Sequence, residues 1–419
     1  MQEKKKFFYG WWIVIGSILI TATIVPSVMA MAGKFTIPVI TELGITRTSF
    51  TLGNSLLHAM GIFFSPVITK KLAKGNMKKI QSISILLFTL VFATYGLAQK
   101  PIHFYISSVI LGVLYLNTSL IPVSIMINNW FEEKRGLAMS LAMTGIGVGG
   151  FVLSPLITSL IGKFGWRNSY FIFAFIMLII ALPISLFVFA KSPEDKGLKP
   201  YGYNPEAKNT KTSSSDGVQL KFSLTSKESF VKPFFILMII GMITNGLVSN
   251  GALGQFPPAL EELHGPATQA IIVSLYSVFG IFGKLIIGWI NDRFGLIQAS
   301  LVGCISFAIS FACMLLAENI TVLYIMTVFF GIGMAIGTVL PPLITSAIFG
   351  QERYGEFYGY VSSATQVGLS LGSLLVASIF DLTNTYKVAW IVMIILTLAT
   401  LFCWIISYKA SFKYKKTTK

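Results

Sequence analysis

Apolar runs of 18 or more residues recur from one end of this 419-residue chain to the other, and no other feature limits its fold so tightly. Each run is long enough to cross the hydrocarbon of a bilayer as a helix, where backbone N–H and C=O groups must be satisfied within the segment. The runs give twelve expected spans, near 9–31, 49–69, 80–98, 103–129, 137–161, 168–189, 233–253, 268–290, 297–317, 320–346, 356–380 and 386–408. Charged residues fill only 11% of the positions and mean hydropathy is +0.76, so a soluble fold is excluded.

Charge reports topology. With both termini in the cytoplasm, 25 of the 32 Lys and Arg fall on that side, six fall outside, and Lys284 remains within a span. That asymmetry follows the positive-inside rule, so the net charge of +16 does not describe a nucleic-acid surface. The N-terminus, MQEKKKFFYGWW, leads into an apolar run as a signal peptide does. It has no small-residue cleavage site and eleven more runs follow, so it reads as a retained first helix. Cys304, Cys313 and Cys403 fall within expected spans without metal-ligand spacing, so neither a disulfide framework nor a zinc site is expected.

The spans divide six and six around the long polar stretch. The expected organisation is an N-terminal six-helix bundle over 1–190, a cytoplasmic linker over 191–232 and a C-terminal six-helix bundle over 233–419. The halves echo each other. Pro122, the turn EEKRG (132–136) and the helix GIGVGG (145–150) correspond to Pro341 and Pro342, QERYGE (351–356) and VGLSLGS (367–373). Such repeats trace a transporter whose binding site lies near the midplane between them, and the fold class expected is an all-α membrane protein with pseudo-two-fold symmetry. Small residues at four-residue spacing, Gly145, Gly149 and then Ser154, allow close helix packing. Their repetition in both halves favours interfaces that close and reopen.

Lys284 is the one charged side chain deep within an apolar stretch, GIFGKLIIGWINDRFG. A charge there is costly, so it reads as meeting an anion at membrane depth; the alternative is that its stem snorkels toward the interface. Helical spacing puts Ser277, Gly280, Lys284 and Gly288 on one face. Other spans offer neutral polar faces: His58 on span two, Tyr115 and Asn117 on span four, Asn245 and Ser249 on span seven, and Tyr358, Ser362 and Gln366 on span eleven. Tyr115 and Asn117 cannot both point the same way along a helix. All sixteen acidic residues lie in tails, loops or span ends, so a proton pump built on buried carboxylates is not expected.

The motif G-x-x-x-D-R-x-G at Gly288, Asp292, Arg293 and Gly295, in the loop after span eight, resembles the major facilitator superfamily, and the likeness extends over essentially the whole chain. It implies twelve transmembrane helices in two bundles and a conformational gating role for those four residues. In the first half the equivalent loop carries Lys70 and Lys71 where an acid and a base stand in the family. Within the superfamily, NWFEEKRGLAMSLAMTGIGVGG (129–150), GKFGWRNSYF (162–171) and PEDKGLKPYG (193–202) resemble the branch of monocarboxylate porters and oxalate:formate antiporters. That resemblance implies that Lys284 binds the substrate carboxylate and that Lys34 is functional. Gln366 stands in the region where oxalate carriers have a second lysine.

The expected function is secondary active transport of a small organic anion, a monocarboxylate such as lactate, pyruvate, formate or an oxalate-like acid, across the cell membrane. Substrate binding is assigned to Lys284, Gln366, Asn245, Tyr115, Asn117, Lys34 and His58. Two coupling schemes stay open: anion exchange, because an empty carrier must move an unpaired ammonium, and proton symport, if burial makes Lys284 release its proton when empty. The rivals are an exporter of amphipathic or drug-like compounds and a non-transporting membrane sensor. An enzyme is not expected, nor is a cofactor, a metal or a nucleic-acid partner; the expected partners are the anion, protons and lipid, and a monomer is expected.

Overall fold

The computed structural model describes residues 8–28, 32–203, 220–222 and 226–417. Among these, eleven helices are long and apolar enough to cross a membrane. One of them, Arg135–Val188, holds 54 residues, which as a single rod would extend roughly 80 Å, far more than a bilayer needs. It turns back at Gly165, whose φ of 75° and ψ of 164° are open to glycine and closed to other residues, so the chain crosses twelve times. Near-identical geometry reverses the chain at Gly265 and Gly350.

In order the spans are Gly10–Val28, Arg47–Lys74, Met77–Ala93, Pro101–Trp130, 135–164, 166–188, 233–264, 266–294, Leu296–Leu315, 320–349, 351–383 and Tyr386–Ser411. A short helix, Ala32–Leu43, follows the first. Thr46, Asn76, Asn319 and Thr385 cap the spans they precede, each side chain accepting a first-turn N–H at 2.9–3.2 Å. Large apolar side chains such as Phe63, Phe151, Phe187 and Phe402 stand exposed on the outside of the bundle, as a lipid-facing surface requires.

Spans four and ten, which occupy corresponding places in the two halves, are both interrupted. Span four breaks at Ser119 (φ −108°, ψ −119°), and span ten runs as Ile320–Gly333, Ala335–Thr338 and a further helix from Leu340. Proline is the cause. Pro122 has no N–H for the carbonyl of Thr118, and Pro341 and Pro342 have none for those of Gly337 and Thr338.

The glycines at four-residue spacing pack within each half. A side chain on Gly145 or Gly149 would run into the carbonyls of Ile18 and Ala22 on span one, and one on Gly368 or Gly372 into those of Ile243 and Leu247 on span seven. Spans five and eleven therefore lie tightly on spans one and seven, as pseudo-symmetric counterparts.

Part of the expected linker is fastened down. Ser192 and Asp195 form a capping box, and Tyr201 bridges to Phe131, donating its N–H to Trp130 O at 2.8 Å. This is why PEDKGLKPYG and NWFEEKRG occur together: one docks on the other. Residues 204–219 and 223–225 of the linker lie outside the described residues, and Leu220–Phe222 pairs with Lys415–Thr417 in a short antiparallel ladder. The side of the bundle that holds these segments is the linker face.

Candidate functional site

A cavity of about 140 Å³ lies between the two halves, beside the interruptions of spans four and ten. The first half contributes an almost apolar wall, Val25, Leu116, Leu120, Ile121 and Ile146, with Tyr115 and Ser119 as its polar members. The second half supplies the remaining polar groups, among them Lys284, Gln366, Ser249 and Thr338.

Lys284 is 4% exposed, and its ammonium donates to the backbone carbonyl of Met143 on span five at 3.2 Å. Among the described residues no carboxylate lies within ion-pair distance of it. It points into the interface between halves, not along the helix toward the linker face, so the snorkelling alternative is not what the geometry adopts. A buried cation held by one neutral acceptor is poorly compensated.

The other expected substrate residues divide. Tyr115 and Gln366 line the cavity with Lys284. His58 stands beside it, its Nδ1 3.3 Å from Gln366 Oε1, so spans two and eleven meet here through a side-chain pair. Asn117, two residues past Tyr115, faces another side of the helix and donates to Val113 O at 3.1 Å, outside the cavity. Asn245 is fully buried, one turn nearer the linker face than Ser249, where the cavity does not reach. Lys34 is exposed on the short helix Ala32–Leu43, which buries Phe35 and Val39 on its other side, and is not a cavity residue.

On the linker face the cavity is sealed. Gly288 packs against Gly136 and Ser140 at a distance only glycine permits. One turn on, the Asp292 carboxylate accepts the N–H groups of Gly136 and Leu137, both at 2.7 Å. These are donors with no partner inside their own helix, so Asp292 caps span five from the opposite half, with the helix dipole adding to the bond. Gly295 (φ 95°) makes the turn that follows, and Arg293 lies 5.6 Å from the ring centres of Trp289 and Phe294.

A second set of bonds was not foreseen from sequence. Arg135 donates to Ser346 at 2.6 Å, Ser346 donates to Asn128 Oδ1 at 2.6 Å, and Gln351 donates to Asn128 O at 2.6 Å. Arg135 lies in the turn EEKRG (132–136), and Gln351 opens its counterpart QERYGE (351–356) in the second half; that placement was the available signal. Lys70 and Lys71 lie at the linker-face end of span two, beside the contact between Ala73 and Gly355. Glycine again permits that approach, with no acidic cap from span two.

The family model for the Major Facilitator Superfamily matches residues 7–258 and 238–419. Monocarboxylate transporter 12 of Mus musculus is 22% identical over 403 residues, covering 91% of this chain and 82% of that protein. Monocarboxylate transporter 2 of Homo sapiens is 24% identical, covering 90% and 81%. Two solved structures share the fold. The proton:xylose symporter XylE has a TM-score of 0.66 at 13% identity, covering 99% of this chain and 96% of its own, and the human organic anion transporter MFSD10 (TETRAN) has 0.64 at 14%, covering 95% and 97%.

Proposed function

This chain belongs to the Major Facilitator Superfamily and is a multi-pass membrane transporter, not an enzyme; we propose that its cargo is a small organic anion with a single carboxylate, received by Lys284 in the cavity between the halves. One observation carries the reading: a nearly inaccessible ammonium lines that cavity with a lone carbonyl as partner. Removing a charge from water costs several kcal/mol, and a single neutral hydrogen bond recovers only part of it. A carboxylate brought by the cargo completes the balance, and one cation balances one anion. A dicarboxylate would bring a second charge to a cavity whose other polar groups are neutral. The name borne by the relatives, monocarboxylate transporter, supports the same class.

Transport proceeds by rocking of the two bundles. The cap by Asp292 and the Arg135–Ser346–Asn128 chain must open for release on the linker face, which the distribution of basic residues makes cytoplasmic at the cell membrane. An empty carrier would have to carry an ammonium without its anion through the closed state, so the coupling is exchange of one anion for another.

The test is uptake of labelled lactate, pyruvate, formate and oxalate into liposomes, with and without internal anion and with and without a pH gradient. Internal anion should accelerate entry, and Lys284→Gln should reduce it at least ~30-fold, the equivalent of about 2 kcal/mol for a buried charge partner lost. Intact transport by that variant would refute the reading in favour of an exporter of amphipathic compounds. Uptake driven by external acid alone would replace exchange with proton symport, and absence of any flux would favour a sensor.

A further inference from the structure

The turn between spans two and three carries five lysines within ten positions, Lys70, Lys71, Lys74, Lys78 and Lys79, and all of them are exposed. No acidic residue stands between Glu42 and Glu132 in the sequence, and among the described residues none of the five makes an ion pair. The positive-inside rule puts basic residues on this side of the bundle but does not ask for this density. The corresponding turn of the second half, between spans eight and nine, holds Asp292 and Arg293 and no lysine, so its charges cancel.

The arrangement is electrostatically poor by itself. Lys70 and Lys74 are one turn apart on span two, and like charges at that spacing repel. Lys78 and Lys79 lie in the first turn of span three, which has no acid and where the helix dipole already presents positive charge. The turn is nevertheless held in place. Leu72 and Met77 are buried on its inner side, Gly75 donates its N–H to Lys71 O at 2.8 Å, and the Asn76 side chain accepts the N–H of Lys79 at 3.0 Å.

The surroundings of the lysines say which anion they meet. On span two the exposed residues Phe63, Val67, Lys70, Lys71 and Lys74 succeed one another at three- and four-residue spacing and so form one stripe. On span three Lys79 stands four residues before Ile83, and the exposed stripe continues through Leu86, Leu87 and Leu90. Each stripe is apolar along the hydrocarbon and turns basic where the helix leaves it. A phospholipid has the same order of properties along its length, acyl chain and then phosphate. Lysine stems lie along apolar surface with their ammonium groups at headgroup depth.

We propose that this turn binds an anionic phospholipid of the leaflet on the linker side, its headgroup phosphate held by Lys70, Lys71, Lys74 and Lys79 and its chains lying on the apolar stripes of spans two and three. Clusters of four or more lysines at the membrane end of a helix attract anionic lipid, each lysine adding about fivefold. Ala73, within the same turn, rests against Gly355 of span eleven, so the lipid sits at the linker-face edge of the contact between halves. The proposal is independent of what the cavity carries.

The test is native mass spectrometry of the full chain with phosphatidylglycerol and phosphatidylcholine of matched acyl chains, read as the ratio of the two lipids retained. Wild type should favour phosphatidylglycerol by at least ~10-fold. Lys70→Gln combined with Lys74→Gln should lower that ratio at least ~10-fold, whereas Lys409→Gln combined with Lys413→Gln, which removes the same charge from exposed positions at the linker-face end of span twelve, should leave it within about 2-fold. Arginine at positions 70 and 74, which keeps the charge, should hold the wild-type ratio. Equal losses in the two glutamine pairs would show attraction by overall charge and overturn the site, as would a wild-type ratio near one. Displacement of phosphatidylglycerol by an equal concentration of glycerol 1-phosphate would overturn the lipid assignment, because a free phosphate would then suffice. If the first pair does not purify as a monodisperse protein, Lys71→Gln and Lys79→Gln, made singly, should each lower the ratio at least ~3-fold. An unchanged ratio in both overturns the proposal.

Discussion

Replacing Asp292 by alanine should shift the protein toward the state open on the linker face. Its two carboxylate oxygens accept the N–H groups of Gly136 and Leu137 at 2.7 Å, across the boundary between halves. An N-terminal cap contributes about 0.5–2 kcal/mol, and placing a negative charge at a helix N-terminus adds roughly 0.3–1 kcal/mol. The lost stabilisation belongs to the closed state alone, because opening separates span five from span eight and returns both N–H groups to water. A net change of about 2 kcal/mol alters the ratio of open to closed nearly 30-fold. Starting from one molecule in a hundred open, the variant would hold roughly one in four or five. The remaining bonds, Arg135 to Ser346 and Gln351 to Asn128, keep the shift from going further. Spin labels at the exposed positions Lys74 and Lys409, one in each half, would report it as a second, longer distance in double electron–electron resonance. An identical distance distribution in Asp292→Ala and its parent would show that the cap does not hold the gate.

The seam between spans one and five should be intolerant at one glycine and permissive at its neighbour: Gly149→Ala drives a methyl into Ala22 O and should destabilise by about 1–3 kcal/mol, whereas Gly150→Ala meets open space and should be neutral or stabilising by up to ~1 kcal/mol. Thermal unfolding of the purified variants measures both. Away from the membrane, the Arg167 guanidinium and the Trp166 indole hold the Glu42 carboxyl below the usual carboxylate range. A carboxylate depressed on folding stabilises fully above its unfolded value of about 4.3 and loses that contribution as pH falls through its lower folded value. The melting temperature should therefore drop in that acid window and Glu42→Gln should flatten the drop; an equally steep decline in the variant would remove Glu42 from the account. Finally, Lys284→Met, which cannot bond Met143 O, should populate the longer label distance without any anion, whereas Lys284→Gln, which still can, should stay closed. Identical distributions for the two would mean that the bond has no part in the gate.

The twelve crossings were legible because hydrocarbon thickness sets a length and helices must satisfy their own backbones. Lys284 was legible because one charge in an apolar run has few reasons to be there. What sequence could not place relative to the cavity depended on angle and depth. Asn117 is two residues from Tyr115 and so turns to another side; Asn245 lies one turn from the cavity residue Ser249; Lys34 is on the exposed side of a short helix whose Phe35 and Val39 are buried. The glycines at four-residue spacing were recognised as packing residues, yet only the structure shows which helix each one meets. The breaks in spans four and ten follow from prolines visible in the sequence. Their position beside the cavity depends on how the two halves pack together.

The two halves share an architecture and divide the chemistry unequally. Lys284 and Asp292 come from the second half, and the first answers both with the backbone of span five, Met143 O and the N–H groups of Gly136 and Leu137. Backbone groups leave no motif, which is why the first half's loop can carry Lys70 and Lys71 where the second carries Asp292. The pairing also puts the proposed substrate site and the proposed latch on one seam. About two turns separate Lys284 from Asp292, and about two turns separate their partners on span five. On the proposed reading, an anion that draws the ammonium away from Met143 O would loosen the same pair of helices that Asp292 bridges. On that reading occupancy and opening would be linked through a single contact surface, without a relay of charged side chains across the membrane.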